Sequence, residues 1–142
     1  MKETPMVECD WEVFDKNHRD AKGYHFRAEQ FAREGQRPSL IFNVASVAIE
    51  RYLVALCAYR GIMPFNHNYT SLMDAAESAV AFDQELSKNI RSLDEIFGIC
   101  SLEEYHHGTP TPADSVRALS MCNNILKMFD RLEIKSINTD PA

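Results

Sequence analysis

Glycine and proline are scarce in this chain, and the few present are clustered. Five glycines and six prolines occur in 142 residues. Seven of these gather at three places: Gly35 with Pro38, Gly61 with Pro64, and Gly108 with Pro110 and Pro112. Between the clusters run proline-free stretches of about 20 to 45 residues, far longer than ordinary strands, so helix is the regular structure that fills them. A sandwich or barrel of short strands needs turn residues every ~8–12 positions and is excluded. At this length, with 45% hydrophobic and 25% charged residues, one domain can bury a core of its own. No internal repeat or low-complexity tract interrupts it.

Apolar spacing within the stretches predicts where each helix lies. From about Asp10 to Glu34, Trp11, Phe14, Ala21, Tyr24, Ala28, Phe31 and Ala32 recur every three or four positions, and His18 and His25 share their stripe. Gly23 is either a weakness in this helix or a close-packing point. From Ser39, as cap, to Arg60, apolar side chains nearly encircle the helix, which predicts burial on most sides and an end at Gly61. Arg51 projects from that surface and needs a carboxylate or solvent. A short helix is expected from a cap at Thr70 or Ser71 to about Ala81, then a long one from Phe82 to about His106. The last opens at Pro112 or Ala113, with Thr111 as cap and Asp114 in its first turn. The expected fold is therefore all-α: an antiparallel up-and-down bundle of four long helices and one short one, spanning residues 10–133. Residues 1–9 form an N-terminal extension and 134–142 a flexible tail.

Lys and Arg number 15 against 21 Asp and Glu, a net charge of −6, so no global field attracts nucleic acid and any such contact must be local. Cys9, Cys57, Cys100 and Cys122 form no C-x-x-C pair, which argues against structural zinc or a redox couple and fits reduced thiols. No apolar run approaches ~18 residues, and Met1–Pro5 is not the start of a signal peptide. The expectation is a cytoplasmic protein without a membrane span.

Serine nucleophile elbows, phosphate loops, Rossmann glycines and H-E-x-x-H are missing from the sequence. The five histidines carry the remaining chemical signal. Glu103 to His106 and Glu104 to His107 are overlapping E-x-x-H pairs, the spacing that supplies a carboxylate and an imidazole to a metal inside a bundle. A second such pair is lacking, and a polar helix end before Gly108 is the simpler account of them. His18 and His25 lie ~10.5 Å apart along one helix, too far to share one metal without a ligand from elsewhere. His18, His25, Glu103 and His106 are thus the candidates for a metal-binding bundle, and no cofactor is expected.

The text Ser46-Val47-Ala48-Ile49-Glu50-Arg51-Tyr52-Leu53-Val54-Ala55-Leu56, a Gly-bearing turn, and then His67-Asn68-Tyr69-Thr70-Ser71-Leu72 resembles the HEPN domain, the higher eukaryotes and prokaryotes nucleotide-binding domain. The likeness covers about residues 10 to 132. It implies a four- or five-helix bundle, frequently a homodimer, associated with nucleotide or RNA and often with a nucleotidyltransferase partner protein. Many members are metal-independent ribonucleases using Arg-x4-6-His, in which imidazole moves the 2′-hydroxyl proton and guanidinium stabilises the phosphate.

This chain departs from that pattern where the chemistry would lie. Leu102-Glu103-Glu104-Tyr105-His106-His107-Gly108 contains histidines but no arginine four to six positions earlier, Glu104 stands beside Tyr105 in place of arginine, and Val54 replaces the family's lysine after Glu50. Arg19 to His25 and Arg60 to His67 match the bare spacing, but in other elements. The reading is a non-catalytic binding or assembly module, with Arg51, Arg60, His67, Tyr105, His106 and His107 as nucleotide or RNA contacts. A weak ribonuclease using Arg60 with His67, or His106 and His107 across a dimer, is the enzyme alternative. The nearly all-round apolar surface of the second helix motivates the homodimer.

Overall fold

The computed structural model describes residues 9–97 and 110–139, with side chains at 9–95 and 110–132. Every regular element among them is helical: α1 (Trp11–Arg33), α2 (Pro38–Tyr59), α3 (Tyr69–Ala79), α4 (Gln84–Arg91), α5 (Leu93–Phe97) and α6 (Pro112–Thr139). The chain is all-α, as its punctuation predicts.

Local chemistry sets the ends. Asp10 caps α1 by accepting from the Val13 N–H, and Gly35 turns out of it at φ +75°. Pro38 occupies the first position of α2, so Ser39, expected as its cap, lies inside the helix, and Arg37 caps it without a side-chain bond. Gly61, at φ +67°, closes α2 as expected, with Ile62 N–H donating to the Cys57 carbonyl. Asn68 caps α3 through the Ser71 N–H at 2.7 Å, two or three residues earlier than the hydroxyls expected to do so. Thr111 and Asp114 form a reciprocal capping box at the start of α6. Helical backbone then continues to Thr139, through most of the stretch expected to be a loose tail from 134.

The core surrounds α2. Phe42, Ile49, Tyr52, Leu53 and Leu56 are fully buried, as are Ala21 and Ala28 of α1, Leu72 and Met73 of α3, and Ile125 and Phe129 of α6. By length and composition α2 could cross a membrane, with a mean hydropathy of 1.7 over its best window, yet 61% of that window is buried by its own chain. That is how a central core helix behaves. The apolar girdle from which a second copy is expected is covered internally by α1, α3 and α6.

Two features depart from the expected up-and-down bundle. Asp10 N–H reaches the Ala58 carbonyl and His25 meets Tyr52, so α1 and α2 are antiparallel. In contrast, Tyr69 Oη donates to the Ser46 carbonyl while Arg60 Nε donates to the Ala79 carbonyl, so α3 runs parallel to α2. The eight residues 61–68, reaching up to ~26 Å when extended, carry the chain back along α2 before α3 begins. The second departure lies in the long helix expected from 82 to 106, which breaks at Ser92. Asp94, the second residue of α5, accepts from the N–H groups of both Tyr69 and Thr70 at 2.8 Å, anchoring α5 against the start of α3. The stripe stays in phase across the break, because Leu86, Ile90 and Leu93 are all buried.

Cys9, Cys57 and Cys122 are free thiols, and burial pushes Cys57 from its ordinary 9.0 up to about 11. Because the folded value is the higher one, the contribution is intact below pH 9 and is lost as pH rises toward 11. There the unfolded chain releases this proton and the folded chain keeps it. In that window Cys57 is expected to remove up to ~1.4 kcal/mol of stability per pH unit. Urea midpoints between about pH 8 and about pH 10.5 check this, with Cys57→Ala declining less steeply than the unaltered protein.

Candidate functional site

Among the described residues, the side chains expected to carry chemistry do not converge. His67 Nδ1 lies 3.0 Å from Glu50 Oε2, near the middle of α2. Arg60 sits at the far end of that helix, over the Tyr59 ring and bonded to the Ala79 carbonyl. Glu50 and Arg60 are ten residues apart, ~15 Å along the axis, so Arg60 and His67 do not share a cleft.

His18 and His25 are buried against Tyr52. His18 stacks on Phe129 at 4.3 Å between ring centroids, and His25 Nδ1 is 2.9 Å from Tyr52 Oη with Nε2 3.3 Å from Glu29. They pack as core histidines, and no group of three metal-ligating side chains forms among the described residues. Glu103, Tyr105, His106 and His107 lie outside the described residues.

A different constellation does converge. On the outer side of α1, Arg19, Asp20, Gly23, Tyr24, Arg27 and Phe31 line a cleft of about 420 Å³ that Val44 of α2 closes from below. Their spacings of three and four residues place them on one stripe. The apolar spacing places Tyr24 and Phe31 on the buried face. The buried stripe is instead Phe14, His18, Ala21, His25 and Ala28, and Tyr24 and Phe31 stand at its margin, with Tyr24 40% exposed. Gly23 is neither packed against a neighbour nor strained: a Cβ built there meets nothing within 4 Å. Its missing side chain leaves the cleft open between Arg19 and Arg27.

The electrostatics of this cleft differ from those of the whole chain. Six basic side chains and three carboxylates fall between residues 16 and 37 of a protein whose net charge is −6. Neither Arg19 nor Arg27 has a carboxylate within ion-pair distance among the described residues. Arg27 lies over the Phe31 ring with Cζ 5.9 Å from its centroid. Asp20 is occupied: Lys16 Nζ holds its Oδ2 at 3.1 Å, and Arg51 Nη1 is 3.7 Å from the same oxygen. Arg51 thus has both the carboxylate and the solvent its position requires, its side chain being 36% exposed. Two unpaired guanidiniums flanking an exposed aromatic ring can hold phosphate oxygens and stack on a base at once.

None of the described residues proposed from sequence as a nucleotide or RNA contact lines this cleft, and Arg51 reaches it through Asp20, 3.7 Å away. The usable signal was the repeat of Arg19, Gly23 and Arg27 every four residues beside Tyr24, on a segment basic within an acidic chain. No family model, curated protein or solved structure matches the chain.

Proposed function

We propose that this protein is a HEPN-like helical module that binds nucleotide or RNA without cleaving it, and that the contact is made in the cleft between α1 and α2. The observation that carries this reading is the pairing of Arg19 and Arg27, both without carboxylate partners among the described residues, with the Tyr24 and Phe31 rings. The two halves of the text that resembles the family also meet, through His67 with Glu50 and Tyr69 with Ser46. Catalysis by Arg60 with His67 is disfavoured by their separation along α2. A homodimer and a nucleotidyltransferase partner belong to the same proposal, although α2 itself needs no second copy to cover it. Binding of a nucleotide rests on local charge, since the acidic chain as a whole repels polyanions.

Fluorescence anisotropy with a labelled single-stranded oligouridylate, measured across salt concentrations, tests the reading. Arg27→Gln is expected to weaken binding and flatten the slope of log K against log[salt] by ~0.7, the loss of one phosphate contact on a single strand. Tyr24→Ala is expected to lose ~1–3 kcal/mol of affinity with the slope unchanged, because stacking releases no counterion. Gly23 separates binding from folding. Gly23→Ala should stabilise the helix by ~1 kcal/mol and bind normally, whereas Gly23→Leu should fold and fail to bind. Binding that none of these variants alters would overturn the assignment.

A further inference from the structure

Resting on the cleft as the binding site, we propose that Asp20 is a built-in competitor for the incoming phosphate, and that Arg51 is the cation it withholds. The geometry around Arg51 is unusual for an arginine facing a carboxylate. Its Nη1 stands 3.7 Å from Asp20 Oδ2, beyond hydrogen-bond reach, and its Nε is buried without a hydrogen-bond partner. The oxygen it faces is already taken by Lys16 at 3.1 Å. Arg51 is therefore held near Asp20 by charge without a hydrogen bond to it, and its 36% exposed side chain is open to a better anionic acceptor. Asp20 also lines the cleft, one residue from Arg19 and one helical turn from Tyr24.

A phosphate seated on Arg19 and Arg27 meets two opposed effects at this point. The Asp20 carboxylate repels it, and the Arg51 guanidinium offers it the bidentate hydrogen bonding that Asp20 does not provide. In the empty cleft Asp20 wins because it is permanently present. While Asp20 is charged it keeps Arg51 from most of the ligand's charge, and loss of that charge frees the guanidinium to take up a phosphate. Asp20 then acts as a threshold that rejects weakly charged ligands and favours a phosphate-rich one.

Asp20→Asn, Arg51→Met and the double variant, titrated with the same labelled oligouridylate, test this. The Lys16–Asp20 pair is exposed and contributes little to stability, so the Asn variant should fold. Asp20→Asn is expected to tighten binding by ~3–10-fold and to steepen the salt slope by ~0.7, the signature of one added phosphate contact. Arg51→Met alone should change affinity by less than ~2-fold, and in the double variant most of the gain should disappear, since the two residues act through one another. Binding by Asp20→Asn where the unaltered protein binds too weakly to measure would also support the threshold. Weaker binding by Asp20→Asn, an unchanged salt slope, or a gain that survives in the double variant would overturn the competitor role while leaving the cleft assignment standing. No binding by the unaltered protein or by Asp20→Asn would overturn the cleft itself.

Discussion

Phe129→Ala is expected to remove about 3–5 kcal/mol of stability, the range for deleting a large aromatic side chain from a packed core. Phe129 is fully buried, and three other rings close on it: His18 at 4.3 Å, Tyr52 at 5.3 Å and Phe14 at 5.8 Å between centroids. These belong to α1 and α2, so the truncation opens a void where α6 meets both. Such a junction collapses poorly, because each neighbour is held by its own helix. Domains of this size have about 5–15 kcal/mol in total, so about a fifth or more of the stability is at stake. Thermal unfolding should fall by roughly 10 °C or more. Phe65→Ala is the control: Phe65 is 99% exposed, and its removal should change stability by less than ~0.5 kcal/mol. Similar losses from the two substitutions would contradict the placement of α6.

Asp94→Ala is expected to destabilise by about 2–3 kcal/mol, more than an ordinary surface carboxylate warrants. Its two oxygens accept separately from the Tyr69 and Thr70 N–H groups, each at 2.8 Å. These are donors that the first turn of α3 cannot satisfy internally. Hydrogen bonds to a charged acceptor contribute about 1.5–3 kcal/mol, and the negative charge also lies at the positive end of the helix. Asp94→Asn retains one acceptor and should lose about half as much. Hydrogen exchange localises the effect: the Tyr69 and Thr70 amides should lose protection, while the Ser71 amide, held by Asn68, keeps most of its own. Uniform protection across all three would mean that α5 does not clasp α3.

That clasp also marks where sequence reasoning stopped. Apolar spacing from Phe82 to Leu93 reads as one continuous helix, and of its stripe Leu86, Ile90 and Leu93 are buried while Phe82 is partly so. Periodicity reports which face is covered and carries no information about a carboxylate that leaves its own helix to cap another. Gly35 and Gly61 were legible because a positive φ at a helix end favours glycine. The parallel course of α3 was not, since residues 61–68 are long enough either to turn back at once or to travel along α2. For the cleft, the histidines drew attention because their chemistry is versatile. Two of them are core side chains packed with aromatic rings, while plain arginines one turn to either side of Gly23 face the open space.

The central position of α2 has a consequence for how the chain is made. Ala45 of α2 accepts from the Cys122 thiol of α6, a contact 77 residues apart in sequence. At ~5–20 residues per second, the ribosome finishes α2 several seconds before α6 emerges. During that interval α1 can fold against one side of α2, while the side that later receives Ile125 and Phe129 stays open to water or to other chains. Vectorial synthesis therefore exposes the most apolar segment of this protein before the helix that seals it exists. The nascent chain's exposure to aggregation is set by the delay between those two helices.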